Sequence, residues 1–224
     1  MLRTLLILIL LLAPVRAQTL ETVLAQMDSA AASFRSLTAH IRSVKHTAIV
    51  NDDTTDEGTL WVKRIKPHVS HLLIEFTVPD LYYVGVGEKK AEVYRPKIAT
   101  LEEYDTTRFR DLRDQFWLLS FGAAGRDLTA HYQVTLKGPE PVDGKPAVKL
   151  ELVPKSAELK QHIPRIEMWV SSSHWQPVQQ KFYDLTPGDF RISTYTNVKL
   201  NLPFPDSRLK IRPAPGTKRV QPQK

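Results

Sequence analysis

The chain has no cysteine among its 224 residues. Disulfide bonds, thiolate nucleophiles and cysteine-based zinc sites are therefore excluded, and so is a lipid anchor attached to a cysteine. A chain of this length without disulfides must rely on the packing of its core, and the length suffices for one domain. Neither an internal repeat nor a shift in composition marks a boundary between domains.

Long hydrophobic runs are also absent beyond the first 17 residues, since no later stretch approaches the 18 apolar residues of a membrane-spanning helix. The first 17 residues begin with Met1-Leu2-Arg3, continue with an apolar run over 4–12 and end with Val15-Arg16-Ala17. This order of positive, apolar and small residues is typical of a secretory signal peptide. We expect cleavage after Ala17 and a soluble mature protein in the periplasm of a bacterium.

Catalytic and nucleotide-binding motifs are missing as well: the sequence contains no GxSxG, P-loop, GxGxxG or HExxH. His68 and His71 are three residues apart, so on a strand they point to opposite faces and a shared metal site is not expected. The adjacent Glu102 and Glu103 are opposed in the same way, and Asp52-Asp53 lies in a predicted turn. Acid/base catalysis needs two carboxylates that converge on one substrate. The sequence therefore predicts a protein that is not an enzyme and that carries neither a metal nor a cofactor.

The charge balance is basic, with 31 Lys and Arg against 24 Asp and Glu. Without Arg3 and Arg16 the excess falls to about +5. Such an excess favours approach to anionic lipid headgroups or to an acidic partner, although it is more often simply the charge of an ordinary soluble surface. No basic run with interleaved aromatic residues occurs, so nucleic acid is not predicted as a partner.

Apolar and polar residues alternate along most of the chain, which is the pattern of strands with one buried face. The alternation occurs twice in 58–80. In 147–153 three aliphatic residues alternate with Lys149 and Glu151. Arg64 lies on a face that otherwise looks interior, so its guanidinium requires hydrogen-bond acceptors or solvent. A turn is predicted at 51–57. The predicted strands cover 40–50, two segments within 58–80, 81–86, 91–95, 98–104, 132–137, 147–153, 165–171, 177–185 and 190–200.

Two segments show helical spacing instead. The first is 20–37, and the second is 106–121, where Gly122 and Gly125 are consistent with a helix end. Neighbouring strands lie about 4.8 Å apart, so eleven strands form a sheet roughly 50 Å wide. Two helices, each about 10 Å in diameter, cover less than half of that width. The sheet either curls into an incomplete barrel with the helices across an apolar cavity, or closes tightly on itself without one.

The run Leu60-Trp61-Val62-Lys63-Arg64 is preceded by Gly58 and followed by Pro67 and a second apolar strand that ends before Pro79. This arrangement resembles the periplasmic outer-membrane lipoprotein carriers of the LolA type. The resemblance extends, more weakly, over nearly the whole chain after residue 17. In that family the proline directly follows the arginine, whereas here Ile65 and Lys66 intervene.

The resemblance implies an α+β fold, mainly β, in which one antiparallel sheet forms an unclosed barrel with a helical lid over an apolar cavity. It implies a monomeric carrier that takes acylated lipoproteins from an inner-membrane lipoprotein-releasing ABC transporter to an outer-membrane acceptor. By position, Arg64 would latch the closed lid through hydrogen bonds to helix backbone. The cavity wall would comprise Leu60, Val62, Leu72, Ile74, Phe76, Val148, Leu150 and Leu152, and the lid helix Phe109, Leu112, Phe116 and Leu119. The carrier domain would cover 18–212, followed by a basic, proline-rich tail at 213–224, of which we expect the basic end at 218–224 to be frayed.

Three other interpretations remain open at this point. The same half-barrel occurs in periplasmic regulators that sense mislocalised lipoproteins or envelope stress. It would also suit a binding module for another apolar ligand, such as a glycolipid or an isoprenoid. A secreted hydrolase would require a clustered catalytic set, which the sequence does not display.

Overall fold

The computed structural model describes residues 18–66, 69–107, 119 and 121–222. The predicted signal peptide lies outside the described residues. So do three members of the predicted lid helix, Phe109, Leu112 and Phe116, together with His68.

The described chain contains three α-helices, two 3-10 turns and twelve strands. The helices are α1 (Leu20–Ser33), α2 (Gly125–His131) and α3 (Ala157–Lys160), and the 3-10 turns are Pro96–Ile98 and Asp206–Leu209. The strands are β1 (Ser36–Thr47), β2 (Asp52–Lys66), β3 (Val69–Val78), β4 (Tyr82–Val86), β5 (Lys90–Arg95), β6 (Thr100–Asp105), β7 (Tyr132–Pro139), β8 (Ala147–Pro154), β9 (Ile166–Ser171), β10 (Pro177–Tyr183), β11 (Phe190–Leu200) and β12 (Lys218–Val220).

All twelve strands belong to one sheet in the order β12-β6-β5-β4-β3-β2-β1-β11-β10-β9-β8-β7. Every neighbouring pair is antiparallel except β12 and β6, which are parallel. Strands β12 and β7 are the two edges and do not pair with each other within the described chain. The sheet is therefore an incomplete barrel, and the predicted α+β class with a single curled sheet is confirmed.

Helix α1 packs across one face of the sheet, which we call the inner face. Its start is set by Thr19, whose hydroxyl accepts a hydrogen bond from the Thr22 amide at 3.2 Å, while the Thr19 amide donates to the Thr22 hydroxyl at 3.0 Å. The prediction of a helix over 20–37 is wrong beyond Ser33, because β1 begins at Ser36. Leu37 fits the helical spacing, but it also begins the alternation of buried Leu37, Ala39 and Ile41 that places it in the sheet.

The core on the inner face consists of two clusters. The first, called the β7–β9 cluster, joins Val23 and Met27 of α1 to α2 and to strands β7 to β9. The second, called the β1–β3 cluster, joins Phe34 and Phe121 to buried residues of strands β1, β2 and β3. Helix α1 and the residue that follows it thus contact both halves of the inner face.

Two further predictions are corrected by the strands and helices observed. The predicted turn at 51–57 is mostly strand, because β2 starts at Asp52 and pairs with β1 continuously from there. The turn itself is confined to the tip, where Asn51 adopts the left-handed region at φ 47°. Gly125 begins α2 and does not end a helix. A Cβ at Gly125 would lie 2.5 Å from the Leu24 carbonyl oxygen, so glycine allows α2 to approach α1.

The C-terminal part of the chain crosses the opposite, outer face of the sheet. We call residues 201–217 the strap. Lys63 donates from Nζ to the Phe204 carbonyl oxygen at 3.0 Å, and the Ala214 amide donates to the Tyr94 hydroxyl at 3.1 Å. Strand β12 then pairs with β6 at Thr100–Glu102. The expectation of a frayed end is therefore wrong for Lys218–Val220, since these residues pair with the sheet.

Candidate ligand-binding face

The predicted cavity-wall residues all lie on the inner face, but they divide between the two clusters. Leu60 pairs with Ile74 and Val62 with Leu72 across β2 and β3, and Phe76 lies opposite Gly58. These five residues belong to the β1–β3 cluster, in which Leu72 and Ile74 are partly buried. Val148, Leu150 and Leu152 belong instead to the β7–β9 cluster and are at most 1% exposed.

Arg64 lies near the end of β2 and faces the same side as Leu60 and Val62. Its Nη1 donates to the Ala31 carbonyl oxygen at 2.8 Å, and its Nη2 donates to the Gly122 carbonyl oxygen at 2.7 Å. The guanidinium carbon lies 5.4 Å from the centroid of the Phe34 ring. One cation therefore joins the sheet, the last turn of α1 and the segment at Gly122.

The environment of Arg64 is unusual for a cation. Among the residues that the structure describes, no carboxylate lies within 4 Å of it, and its Nε is buried without a hydrogen-bond partner. Burial lowers the pKa of Arg64 from its ordinary value. Because the C-terminal end of a helix carries partial negative charge, the Ala31 carbonyl stabilises the guanidinium. The arrangement is held by hydrogen bonds to neutral carbonyl groups, which can be exchanged for water at modest cost.

Gly122 is required at its position for two reasons. Its φ of +77° lies in the left-handed region, and a Cβ there would be 2.3 Å from Phe34 and 2.9 Å from Arg64 Nη2. Its amide donates to Gln176 Oε1 at 2.7 Å. The sequence predicts Gly122 only as a helix end, and the structure adds that it allows Arg64 and Phe34 to reach the backbone.

Gln176 and Gln180 are functional candidates that the sequence reasoning missed. They are 2% and 5% exposed. Gln180 Nε2 donates to the Leu119 carbonyl oxygen at 2.7 Å, and its Oε1 accepts from the Tyr195 hydroxyl at 3.0 Å. For Gln180 the available signal was the same as for Arg64, a polar residue on a predicted strand, whereas Gln176 directly precedes that strand and carried no such signal. Together with Arg64 these glutamines hold the segment that carries Leu119, Phe121 and Gly122.

Leu119 is the described member of the predicted lid helix, and it is 3% exposed in the β7–β9 cluster. Phe121 is buried in the β1–β3 cluster, with its ring edge-on to Tyr195 at 4.8 Å between centroids. The segment that carries Leu119, Phe121 and Gly122 thus contributes to both clusters, and we call it the closing segment.

The inner face changes from apolar to polar along the strands. Ile41 of β1 is followed on this face by Ser43, whose hydroxyl accepts from Ser193 at 3.2 Å. On β2 the face continues from Leu60 to Gly58 and then to Asp56. Burial, together with the charge and hydrogen bond of Asp56, raises the pKa of Tyr82 above its ordinary value. The face is therefore apolar near Arg64 and polar toward the β1–β2 hairpin.

The other candidates from the sequence do not converge. Glu102 accepts from Arg95 Nη1 at 2.7 Å, while Glu103 pairs with Arg219 at 2.9 Å on the other face. Within the described ranges, no group of three or more His, Cys, Asp or Glu residues could hold a metal ion. Burial lowers the pKa of His71. None of the described helices is long and apolar enough to cross a membrane.

No protein-family model matches the chain. An uncharacterised protein of Methanocaldococcus jannaschii is 28% identical over 98 residues, which is 44% of this chain and 26% of that protein. The chain thus spans about a quarter of the length of this curated relative.

Solved structures align with a larger part of this chain than that relative does. An uncharacterised conserved protein from Thermus thermophilus aligns with a TM-score of 0.55 and 14% identity, over 91% of this chain and 99% of the other. MucB aligns with a TM-score of 0.53 and 13% identity, over 86% of this chain and 62% of MucB. The LolA superfamily protein NE2245 from Nitrosomonas europaea aligns with a TM-score of 0.43 and 14% identity, over 87% and 99% of the two chains. At these identities the likeness concerns the fold alone, which this chain shares with the Thermus thermophilus protein and with MucB.

Proposed function

We propose that the protein is a non-enzymatic periplasmic carrier of acylated lipoproteins, which binds their acyl chains on the inner face and moves them from the inner to the outer membrane. The observation that supports this most directly is the closure of an apolar face by a segment held through Arg64. Such a closure separates apolar residues from water and can be reversed.

Acyl chains gain about 0.8 kcal/mol for each CH₂ removed from water. Leu60, Val62 and Phe76 are at most 5% exposed, so a ligand reaches them only when Leu119, Phe121 and Gly122 move away. That movement breaks the hydrogen bonds that the Gly122 backbone makes with the side chains of Arg64 and Gln176. The buried acyl surface offsets this cost, so opening and ligand binding are coupled.

The polar end of the inner face favours an amphiphilic ligand. Acyl chains would occupy the apolar region near Arg64, while polar groups attached to them would face Ser43, Asp56 and Tyr82. A lipoprotein has this division between acyl chains and a polar polypeptide. A plain hydrocarbon would leave the polar end without complementary groups.

The partners follow from the resemblance to the LolA-type carriers. An inner-membrane lipoprotein-releasing ABC transporter would supply the acylated cargo, and an outer-membrane acceptor would remove it. The predicted signal peptide supports export to the periplasm. The carrier would act as a monomer, and the basic charge would assist its approach to anionic membrane surfaces.

A second candidate is a protein-binding or lipid-sensing role in envelope-stress signalling. Its support is the TM-score of 0.53 with MucB, which has been solved in complex with MucA from Pseudomonas aeruginosa. A binding module for a glycolipid or an isoprenoid on the same inner face is the corresponding lipid alternative.

Native mass spectrometry of the protein purified from the periplasm of its own host tests these candidates. Co-purified triacylated peptide or intact lipoprotein supports the carrier. A glycolipid or isoprenoid instead supports a module for that lipid, and a bound unacylated protein supports the signalling role. A mass without ligand, combined with no binding of an added synthetic triacylated lipopeptide, would falsify the inner face as an acyl site.

A further inference from the structure

A cavity lies on the outer face, between the strap and strands β2 to β5. It has a volume of about 530 Å³ and is separated from the inner face by the sheet itself. Its floor contains Trp61, Tyr83 and Tyr94, and its opposite wall contains residues of the strap from Phe204 to Arg212. This volume lies within the range of small-molecule sites, which is about 300–1,000 Å³.

The floor of this cavity is aromatic and largely fixed. The rings of Tyr83 and Tyr94 are stacked, with centroids 6.0 Å apart and an angle of 18° between their planes. The guanidinium carbon of Arg208 lies 3.8 Å from the centroid of the Trp61 ring and covers one side of it. Tyr94 is 5% exposed, so the surface open to a ligand is mainly the partly exposed ring of Tyr83, which a ligand can contact without ordering flexible side chains.

The rim of the cavity is cationic. Arg208 pairs with Glu75 at 3.4 Å, and the nearby Asp206 accepts a hydrogen bond from Lys63, so both carboxylates already have a partner. Lys210 and Arg212 also line the cavity and are exposed. In the described part of the chain, neither has a carboxylate within 4 Å. Two cations thus remain available beside an aromatic floor.

We infer that the outer cavity binds a small amphiphilic anion, in which a carboxylate or phosphate attached to a compact aromatic or apolar body contacts Lys210 and Arg212 while the body lies on Tyr83 beside Trp61. The charge selects an anion, because a cation would meet Arg208, Lys210 and Arg212 together. The aromatic floor selects a body with an apolar face, because a fully hydrated anion would leave the rings uncovered. This site is independent of the inner face and of the proposed carrier function.

The test uses 4-phenylbutyrate as the probe, with 4-phenylbutylamine as its counterpart of opposite charge, and inorganic phosphate as an anion without an apolar body. The indole N–H resonance of Trp61 in a heteronuclear NMR spectrum reports on the cavity. The indole of Trp169 is the reference in the same spectrum. It does not line the cavity, and its N–H donates to Glu140 Oε1 at 2.9 Å. We expect 4-phenylbutyrate to shift Trp61 in a saturable way, with little effect from the other two probes or on Trp169.

Lys210→Ala and Arg212→Ala should each weaken 4-phenylbutyrate binding about tenfold, as expected for the loss of one charge-assisted contact. Lys160→Ala is the matched control, because Lys160 is exposed on α3 and the substitution makes the same change in charge. Ile74→Glu, on the inner face, should leave probe binding at Trp61 unchanged. That result keeps failure of the carrier function distinct from failure of this site.

Three outcomes would overturn the inference. Equal shifts with 4-phenylbutylamine would show that the cations do not select the ligand. Shifts with inorganic phosphate as large as those with 4-phenylbutyrate would show that the aromatic floor takes no part. Binding only to vesicles that contain phosphatidylglycerol, with no effect of the soluble probe, would make the outer face a membrane-contact surface instead.

Discussion

Arg64 donates a hydrogen bond to the Ala31 carbonyl oxygen at 2.8 Å, and this bond connects a strand to the last turn of α1. The last turn contains no basic residue of its own, so the cation that faces the helix C-terminus comes from the sheet. The same guanidinium reaches Gly122, 58 residues further along the chain. Arg64 is therefore the side chain through which the closing segment and the helix are held against β2.

Arg64→Leu should remove both bonds and leave the Gly122 carbonyl oxygen without this donor, while the Ala31 oxygen keeps only the Phe34 amide at 3.3 Å. We expect a loss of about 2–4 kcal/mol in the free energy of unfolding, since each hydrogen bond to a charged group contributes about 1.5–3 kcal/mol. Amide hydrogen exchange should accelerate at Phe34 and Gly122. Urea unfolding and hydrogen exchange measure the two effects.

The control for this change is Arg42→Leu. Arg42 is 55% exposed on the outer face and pairs with Glu57 at 3.3 Å, so its loss should cost less than about 1 kcal/mol. Unchanged exchange at Gly122 in Arg64→Leu, together with unchanged transfer of an acylated cargo between membranes, would count against the latch.

Ile74→Glu places a carboxylate among the cross-strand neighbours of the β1–β3 cluster. Because an ionised carboxylate on an apolar surface opposes the burial of an acyl chain, lipopeptide affinity should fall by at least about tenfold. Thr77→Glu is the matched control, since Thr77 is exposed on the same strand and faces outward. Isothermal titration with a triacylated lipopeptide provides the measurement.

A smaller substitution, Ile74→Ser, guards against misfolding of the glutamate variant. It adds no charge and should weaken binding less than Ile74→Glu. Normal lipopeptide affinity in both variants, with the thermal transition retained, would show that this face is not the acyl site.

The faces of β2 and β3 were predictable because strands place alternate residues on one side. Leu60, Val62 and Arg64 thus fell on the same face in the sequence as in the structure. The end of α1 was not predictable in this way, because Leu37 satisfies both the helical spacing and the alternation of β1. Only the pairing of Leu37 with Val62 and with Leu200 places it in the sheet.

The outer cavity and the strap could not be predicted, because they depend on contacts between distant parts of the chain. Arg208 meets Trp61 only after the chain has crossed the outer face, and nothing in the local pattern of 201–217 indicates that crossing. Its prolines instead indicated an unpaired tail. Gln180 was also missed, since a Gln on a strand usually faces water, and Gln176 was missed because it lies just before β10.

Asn201 should be a structural link between the strap and the start of β1. Its Oδ1 accepts from the Arg35 amide at 2.8 Å, and its Nδ2 donates to the Ser33 carbonyl oxygen at 3.1 Å. Asn201→Ala should cost about 1–2 kcal/mol in thermal or urea unfolding, because these backbone groups lose their partners. Hydrogen exchange should also accelerate at Arg35.

Asn197→Ala is the matched control for that change. Asn197 has a φ of 51° and Asn201 a φ of 58°, so both substitutions impose similar backbone strain. Asn197 has no side-chain hydrogen bond within the described structure, so its variant reports the strain alone. Equal losses of stability in the two variants would mean that the bonds of Asn201 contribute nothing.

Glu151→Gln should reduce stability in a way that depends on pH. The hydrogen bond and charge of Lys137, 2.9 Å away, and then those of Arg165 at 3.3 Å, lower the pKa of Glu151 below its ordinary value of 4.5. A lowered pKa in the folded state means that the carboxylate stabilises the fold above pH 4.5. That contribution is lost as the pH falls through the lower folded pKa. The free energy of unfolding of the wild type should therefore exceed that of the variant by up to about 1 kcal/mol near neutral pH, and the difference should vanish in acid.

Urea unfolding at several pH values measures this difference. Glu158→Gln, on the exposed side of α3, is the control that should show no difference. A difference that persisted unchanged in acid would assign the effect of Glu151 to packing and not to its charge.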